Sequence, residues 1–178
     1  ARRLLSIWFP RLASEFSRRS RPVEGPFALV LRAGNADHLH CLNPLAEGQG
    51  LHRGMALADA RAICPGLETR PADLAFEAAA LAALRRWSVR YAPMAATDGS
   101  DGLIADISGV AHLFGGEKEL RADLQARLVR SGITGISAIA GSRGAAHALA
   151  RQGGGVIAEG RLAEGLAPLA DHRAAGRP

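Results

Sequence analysis

Residues 91–116 read YAPMAATDGSDGLIADISGVAHLFGG. Within them Leu103 to Ile107 is a short apolar run bounded by Gly102 and Gly109, the pattern of a buried strand. Three carboxylates, Asp98, Asp101 and Asp106, surround that run. Acidic side chains at the mouth of a core strand are the arrangement that holds metal ions for phosphoryl transfer. The competing reading is structural: Asp98 and Asp101 are loop residues whose carboxylates close side-chain turns.

Upstream, Leu4 to Phe9 reads as a first buried strand closed by Pro10, and Ala13 to Arg19 as a short helix. Phe27–Leu31 and His38–Leu42 read as two strands joined through Ala33-Gly34-Asn35, a hairpin-type loop. Asn43-Pro44 with Gly48, Gly50 and Gly54 marks a loop-rich passage, followed by a helix from about Ala56 to Cys64 that Pro65-Gly66 ends. This passage reads as a helical insertion outside the sheet. Asp73 is placed to cap the next helix, whose apolar face runs through Leu74, Ala78, Leu81, Leu84 and Tyr91.

Downstream, Glu117 to Arg130 repeats Leu120, Leu124 and Leu128, with glutamates early and arginines late, as the helix dipole favours; Gly132 supplies the stop. Ile136 to Ala140 is another strand, and a short helix begins at Ser142 or Gly144. The order points to an α+β fold, a ferredoxin-like sheet with helices on one face.

Composition narrows the function. The chain has 178 residues, 48% of them hydrophobic, and no run approaches a membrane span. ARRLLSIWFP is broken by Pro10 and Arg11 too early for a signal peptide, so a cytoplasmic location is expected. The net charge of +5 is concentrated in residues 1–32, where seven arginines face Glu15 and Glu24. Arg18, Arg19 and Arg21 form the densest basic patch, suited to a nucleic-acid backbone. Lys118 is the one lysine in the chain, so a general arginine bias explains part of that charge. Cys41 and Cys64 match no metal or redox spacing, and His38 and His40 lack a partner at ligand spacing. No Walker, dinucleotide or acyl-transfer motif occurs, and residues 97–102 fail the calcium-loop pattern. Arg143, between a strand and a helix, is placed to meet a phosphate there.

Taken together, four stretches resemble the palm and fingers of the Y-family (UmuC-like) translesion DNA polymerases. Gly50-Leu51-His52-Arg53-Gly54-Met55-Ala56, with the helix to Cys64-Pro65, is similar to the fingers segment of that family. Asp101 to Ser108 resembles its D-E-A-Y-L-D-V-T strand, Gly109 to Gly115 the T-G-S-x-x-L-F-G that follows, and Ala138 to Arg143 its G-I-A-x-N-K turn. The resemblance implies a palm at residues 1–42 and 71–158, fingers at 43–70, and a tail or the beginning of a thumb at 159–178.

The departures are as informative. The family's first motif is acidic at two positions where this chain has Ile7 and Phe9, and the glutamate beside Asp101 is replaced by Gly102. The triphosphate-gripping Y-x-x-R falls at Pro44 to Glu47, and the last motif's lysine is Arg143. Two-metal catalysis needs several carboxylates around ions roughly 4 Å apart, and Asp101 alone is a vestige of such a set. The W-F-P-R-L-A opening resembles the catalytically inactive, ImuB-type branch. That branch implies a scaffold in the DNA damage (SOS) response, binding DNA, an ImuA-type RecA-like protein, the sliding clamp and an error-prone C-family polymerase. DNA contacts are expected from Arg18, Arg19, Arg21 and Arg143, and no cofactor. The alternatives are an active nucleotidyltransferase holding Mg²⁺ on Asp98, Asp101 and Asp106, and a plain DNA- or protein-binding module.

Overall fold

The computed structural model describes residues 1–160. It divides into two compact units: Ala1–Phe9, Leu81–Ser131 and the described residues from Gly135 in one, Pro10–Ala80 with Gly132–Thr134 in the other.

The first unit is built on a five-stranded sheet. Strands β1 (Leu4–Trp8), β5 (Ala95–Thr97), β6 (Gly102–Asp106), β7 (Ile136–Ala140) and β8 (Gly155–Val156) lie in the order β5-β6-β1-β7-β8. The first four are joined by antiparallel pairings and β8 runs parallel to β7, so the ferredoxin-like pattern is met and extended by one strand. Register pairs Ile7 with Leu103 and Trp8 with Gly102. Cross-strand partners share a face, so Leu5, Ile7, Leu103 and Ala105 lie on one side and Ser6, Trp8 and Ile104 on the other. Leu5, Ile7 and Leu103 are about 1% exposed, which makes the first face the core.

Helix α5 (Glu117–Arg130) packs along β7 and buries Leu120, Leu124 and Leu128, one per turn as its repeat requires. Its glutamates occupy the first turn and Arg127 and Arg130 the last; Gly132 at φ 64° takes the chain out of the helix. Helix α6 (Arg143–Ala150) lies on the opposite face, where Ala145 and Ala146 cluster with Ala140, Ile157 and Ile104. Ser142 caps it through Oγ, which accepts from the Ala145 N–H.

The second unit carries α1 (Leu12–Ser20) and a three-stranded sheet of β2 (Phe27–Ala33), β3 (Ala36–Leu42) and β4 (Glu68–Pro71), ordered β3-β2-β4. The hairpin of β2 and β3 is as expected, but these strands form their own sheet rather than extending that of β1. The passage expected to be a helical insertion outside the sheet contributes β4, parallel to β2. Four residues of Glu-Thr-Arg-Pro carry too little apolar pattern to announce a strand. Asn43, fully buried, fixes the exit from β3: its Oδ1 accepts from the N–H groups of Phe27 and Ala46, and its Nδ2 donates to the Gly25 carbonyl. It thereby caps α2 (Pro44–Gly48). Ala46, Leu51 and Ala60 of α2, the following loop and α3 (Leu57–Ile63) pack on Ala28, Leu39 and Leu42.

Helix α4 (Leu74–Ser88) follows. Asp73 caps it as expected, its Oδ1 accepting from the Phe76 N–H. Cys41 and Cys64 are buried free thiols. Among the described residues no helix is long and apolar enough to cross a membrane.

Candidate functional site

The end of β1 meets the beginning of β6 in the first unit: the Phe9 N–H donates to the Asp101 carbonyl at 2.8 Å. The polypeptide positions flagged by sequence are therefore adjacent, but their side chains diverge. Ile7 and Phe9 are each 1% exposed and belong to the core. The side chain that stands at Asp101 is Trp8, whose indole Nε1 donates to Oδ2 at 3.0 Å. Arg151 Nη2 donates to the other oxygen at 3.1 Å, and its guanidinium lies 5.6 Å from the Trp8 ring centroid.

Asp98, across the tight turn that precedes β6, is the more buried carboxylate, with a side chain 7% exposed. Arg143 Nη2 donates to Oδ1 and His147 Nδ1 to Oδ2, each at 2.6 Å. His147 Nδ1 also lies 3.0 Å from Arg151 Nη1, so one imidazole nitrogen is shared between the carboxylate and a guanidinium. Burial pushes the Asp98 carboxyl up, but the hydrogen bonds and charges of Arg143 and His147 outweigh it, and the group sits below the ordinary carboxylate range. Arg143, His147 and Arg151 recur every four residues, so α6 and its C-cap present one row of polar side chains to both aspartates.

Asp106 does not join them. It pairs in register with Leu4 at the other end of β1, taking the Ser108 N–H at 2.9 Å and Arg2 Nε at 3.4 Å. These bonds, the Ser108 hydroxyl and backbone first, hold its carboxyl low. Gly102 leaves no room for an acid: a Cβ there would fall 2.9 Å from the Asp98 carbonyl oxygen and 3.2 Å from that of Ile7. Among the described residues no three His, Cys, Asp or Glu side chains converge as metal ligands. The donor set therefore does not fit a pair of Mg²⁺ ions, because Trp8, Arg143, His147 and Arg151 already bond the oxygens that would face them.

In the second unit, Arg18 and Arg19 fall in the last turn of α1 and Arg21 at its C-cap. Arg19 and Arg21 are exposed and Arg18 is half-buried. Arg19 lies 4.4 Å from the Phe16 ring centroid, while Arg70 donates to the Arg21 and Ser17 carbonyls. The three arginines expected to contact DNA thus share one helix end, and Arg143 belongs to the other unit. Glu47, near the start of α2, pairs with Arg11 at 2.7 Å. His40 gives Nε2 to the Glu77 carboxylate at 2.9 Å, a pairing that sequence spacing did not reveal.

Residues 12–151 match the family model described as impB/mucB/samB. The chain belongs to that family. Over 104 residues it is 50% identical to Protein ImuB from two strains of Caulobacter vibrioides, a stretch covering 58% of this chain and 23% of each relative. An insertion ternary complex of Dbh DNA polymerase superposes with a TM-score of 0.78 at 18% identity, over 88% of this chain and 49% of that one. DinB from Sulfolobus solfataricus gives 0.76 at 18%, over 89% and 49%. This impB/mucB/samB chain therefore has the palm-and-fingers fold of the Y-family polymerases, as its motifs led us to expect, and spans about half the length of those polymerase chains.

Trp8, His147 and Arg151 complete the site and were not legible as functional residues. The four-residue spacing of the α6 cations was visible; their acidic partners, 45 to 50 residues away, were not.

Proposed function

We propose that this chain is a non-catalytic member of its family, acting in DNA damage tolerance as a scaffold that binds DNA and partner proteins. The observation that carries the reading is the capture of Asp98 and Asp101 by Arg143, His147 and Arg151. Asp101, the one carboxylate that the resemblance aligns with the family's metal ligands, is held by Trp8 and Arg151 instead. Trp8, closed Gly102 and the Arg11–Glu47 pair support it, since none of them coordinates a metal or grips a triphosphate. The exposed arginines at the end of α1 supply the charge for phosphate contacts. The likeness to ImuB supports a multiprotein role with an ImuA-type RecA-like protein, the sliding clamp and an error-prone C-family polymerase.

Calorimetric titration with a deoxynucleoside triphosphate and Mg²⁺ tests the reading. No binding heat is expected from the parent chain or from Asp101→Asn. Binding that Asp101→Asn abolishes, or Mg²⁺-dependent primer extension by the parent chain, would instead establish an active nucleotidyltransferase with a rearranged metal site.

A further inference from the structure

At the edge of the five-stranded sheet a groove of about 810 Å³ opens beside β5. Its floor is apolar, formed by Leu4, Ile104, Pro93 and Met94, the last 79% exposed. Its rim carries Arg2, Arg85 and Arg143 against one acid, Asp106. Arg2 and Arg143 have side chains 71% and 64% exposed, and Arg85 is exposed as well. Asp106 pairs with Arg2 and Asp98 with Arg143, so among the described residues the net positive charge of the rim is that of Arg85.

The wall of this groove is a strand edge. Asp98 N donates to the Gly102 carbonyl and Asp106 N to the Met94 carbonyl, which places residues 94, 96 and 98 at the positions that bond to β6. Ala95 and Thr97 therefore turn their N–H and C=O groups away from β6, and β5 is the outermost strand. The edge is short, three residues of Ala-Ala-Thr, and carries no lysine, proline or bulge. Arg85 Nη1 lies 3.5 Å from the Ala95 carbonyl, at the outer limit of a hydrogen bond and easily exchanged for a better one.

We propose that this edge is a docking site for an extended acidic segment of a partner protein, which adds a strand to β5 and sets its carboxylates against Arg2, Arg85 and Arg143. Main-chain pairing supplies affinity, and the side chains that alternate onto the α6 face supply selectivity by setting their carboxylates toward the arginine rim. A polynucleotide is the poorer occupant, because phosphates gain nothing from an unpaired strand edge or an apolar floor and meet Asp106. The site is independent of whether the palm is catalytic.

The probe is an end-capped, fluorescein-labelled heptapeptide alternating glutamate and valine, titrated into the whole chain and followed by anisotropy. Saturable binding is expected, weakened at least tenfold by Arg2→Glu with Arg85→Glu. Thr97→Pro removes the outward N–H while sparing the ladder bonds to β6, and is expected to weaken binding at least tenfold with an unchanged melting curve. Should that variant misfold, a peptide N-methylated at alternate residues puts the same question to the parent chain, and tenfold weaker binding is expected. Binding that survives the charge reversal or is indifferent to N-methylation overturns the proposal. So does a labelled oligothymidylate whose binding the charge reversal abolishes while the heptapeptide shows none, which would make the groove a nucleic-acid surface.

Discussion

Trp8 Nε1 donates to Asp101 Oδ2 at 3.0 Å, so an indole stands where the end of β1 meets the residue that opens β6. The ring also lies beneath Arg151, which donates to the other Asp101 oxygen. Trp8→Phe keeps an aromatic face and removes the N–H. We expect a loss of about 1 kcal/mol, the size of one hydrogen bond to a carboxylate that retains another donor. Urea denaturation at neutral pH checks this, and unchanged stability would remove Trp8 from the network.

Asp98 makes the site sensitive to acid. Its folded-state pKa lies below the unfolded value, so the unfolded chain binds the extra proton first as pH falls. Its contribution is complete above the ordinary carboxylate range, near pH 4, and is lost as pH falls through the lower folded value. Asp98→Asn is expected to cost about 2 kcal/mol at pH 7, since Arg143 and His147 lose an anionic acceptor. Stability measured across pH 2–6 should then fall less steeply in the variant. An acid limb as steep as the parent's would show that the pair with Arg143 and His147 does not form in solution.

A glutamate at position 102 is not expected to create a metal site. Gly102→Glu forces a Cβ to within 2.9 Å of the Asp98 carbonyl oxygen, and backbone cannot yield as a flexible side chain can. A destabilisation of about 1–3 kcal/mol is expected, typical of overpacking, with no gain of primer extension. A stable, Mg²⁺-dependent Gly102→Glu protein would show that the hairpin is more adaptable than its geometry.

Tyr91 is the one tyrosine of the chain, so ultraviolet titration reads it alone. The residue is fully buried, stacked on Phe114 at 5.4 Å between centroids, and its hydroxyl donates to Asp123 Oδ2 at 2.7 Å. Burial first, and then the bond to Asp123, raises the phenol well above its usual value. A raised folded pKa contributes stability that is complete below the unfolded value, near pH 10, and is lost above it. Phenolate absorbance should therefore appear with unfolding rather than before it. Tyr91→Phe should cost about 1 kcal/mol and Tyr91→Ala about 3–5 kcal/mol.

If Arg18, Arg19 and Arg21 bind DNA phosphates, changing all three to alanine should weaken binding of a duplex. It should also flatten the dependence of log K on log salt by about 0.9 for each phosphate no longer neutralised. An unchanged slope would assign the arginines to the α1 dipole and to packing on Phe16 instead.

Local pattern determined much of this protein. The leucine repeat of α5 needs only its own four-residue spacing to become a helix, and Leu103–Ile107 becomes a core strand because its ends are glycine and its middle is apolar. The motif order was enough to recognise a polymerase-like palm and fingers. What the sequence could not determine was which side chain faces which. Alternation along β1 buries Ile7 and Phe9 and turns Trp8 toward Asp101, and a shift of one residue reverses that choice. The pairing of β2 and β3 with β4, away from β1, was equally hidden, because a short polar strand is stabilised by its neighbour's backbone and not by its own pattern. Only the tertiary structure laid the cations of α6 over Asp98 and Asp101. An ion pair between residues 45 or 50 apart depends on how helix and hairpin pack, and no local spacing encodes it.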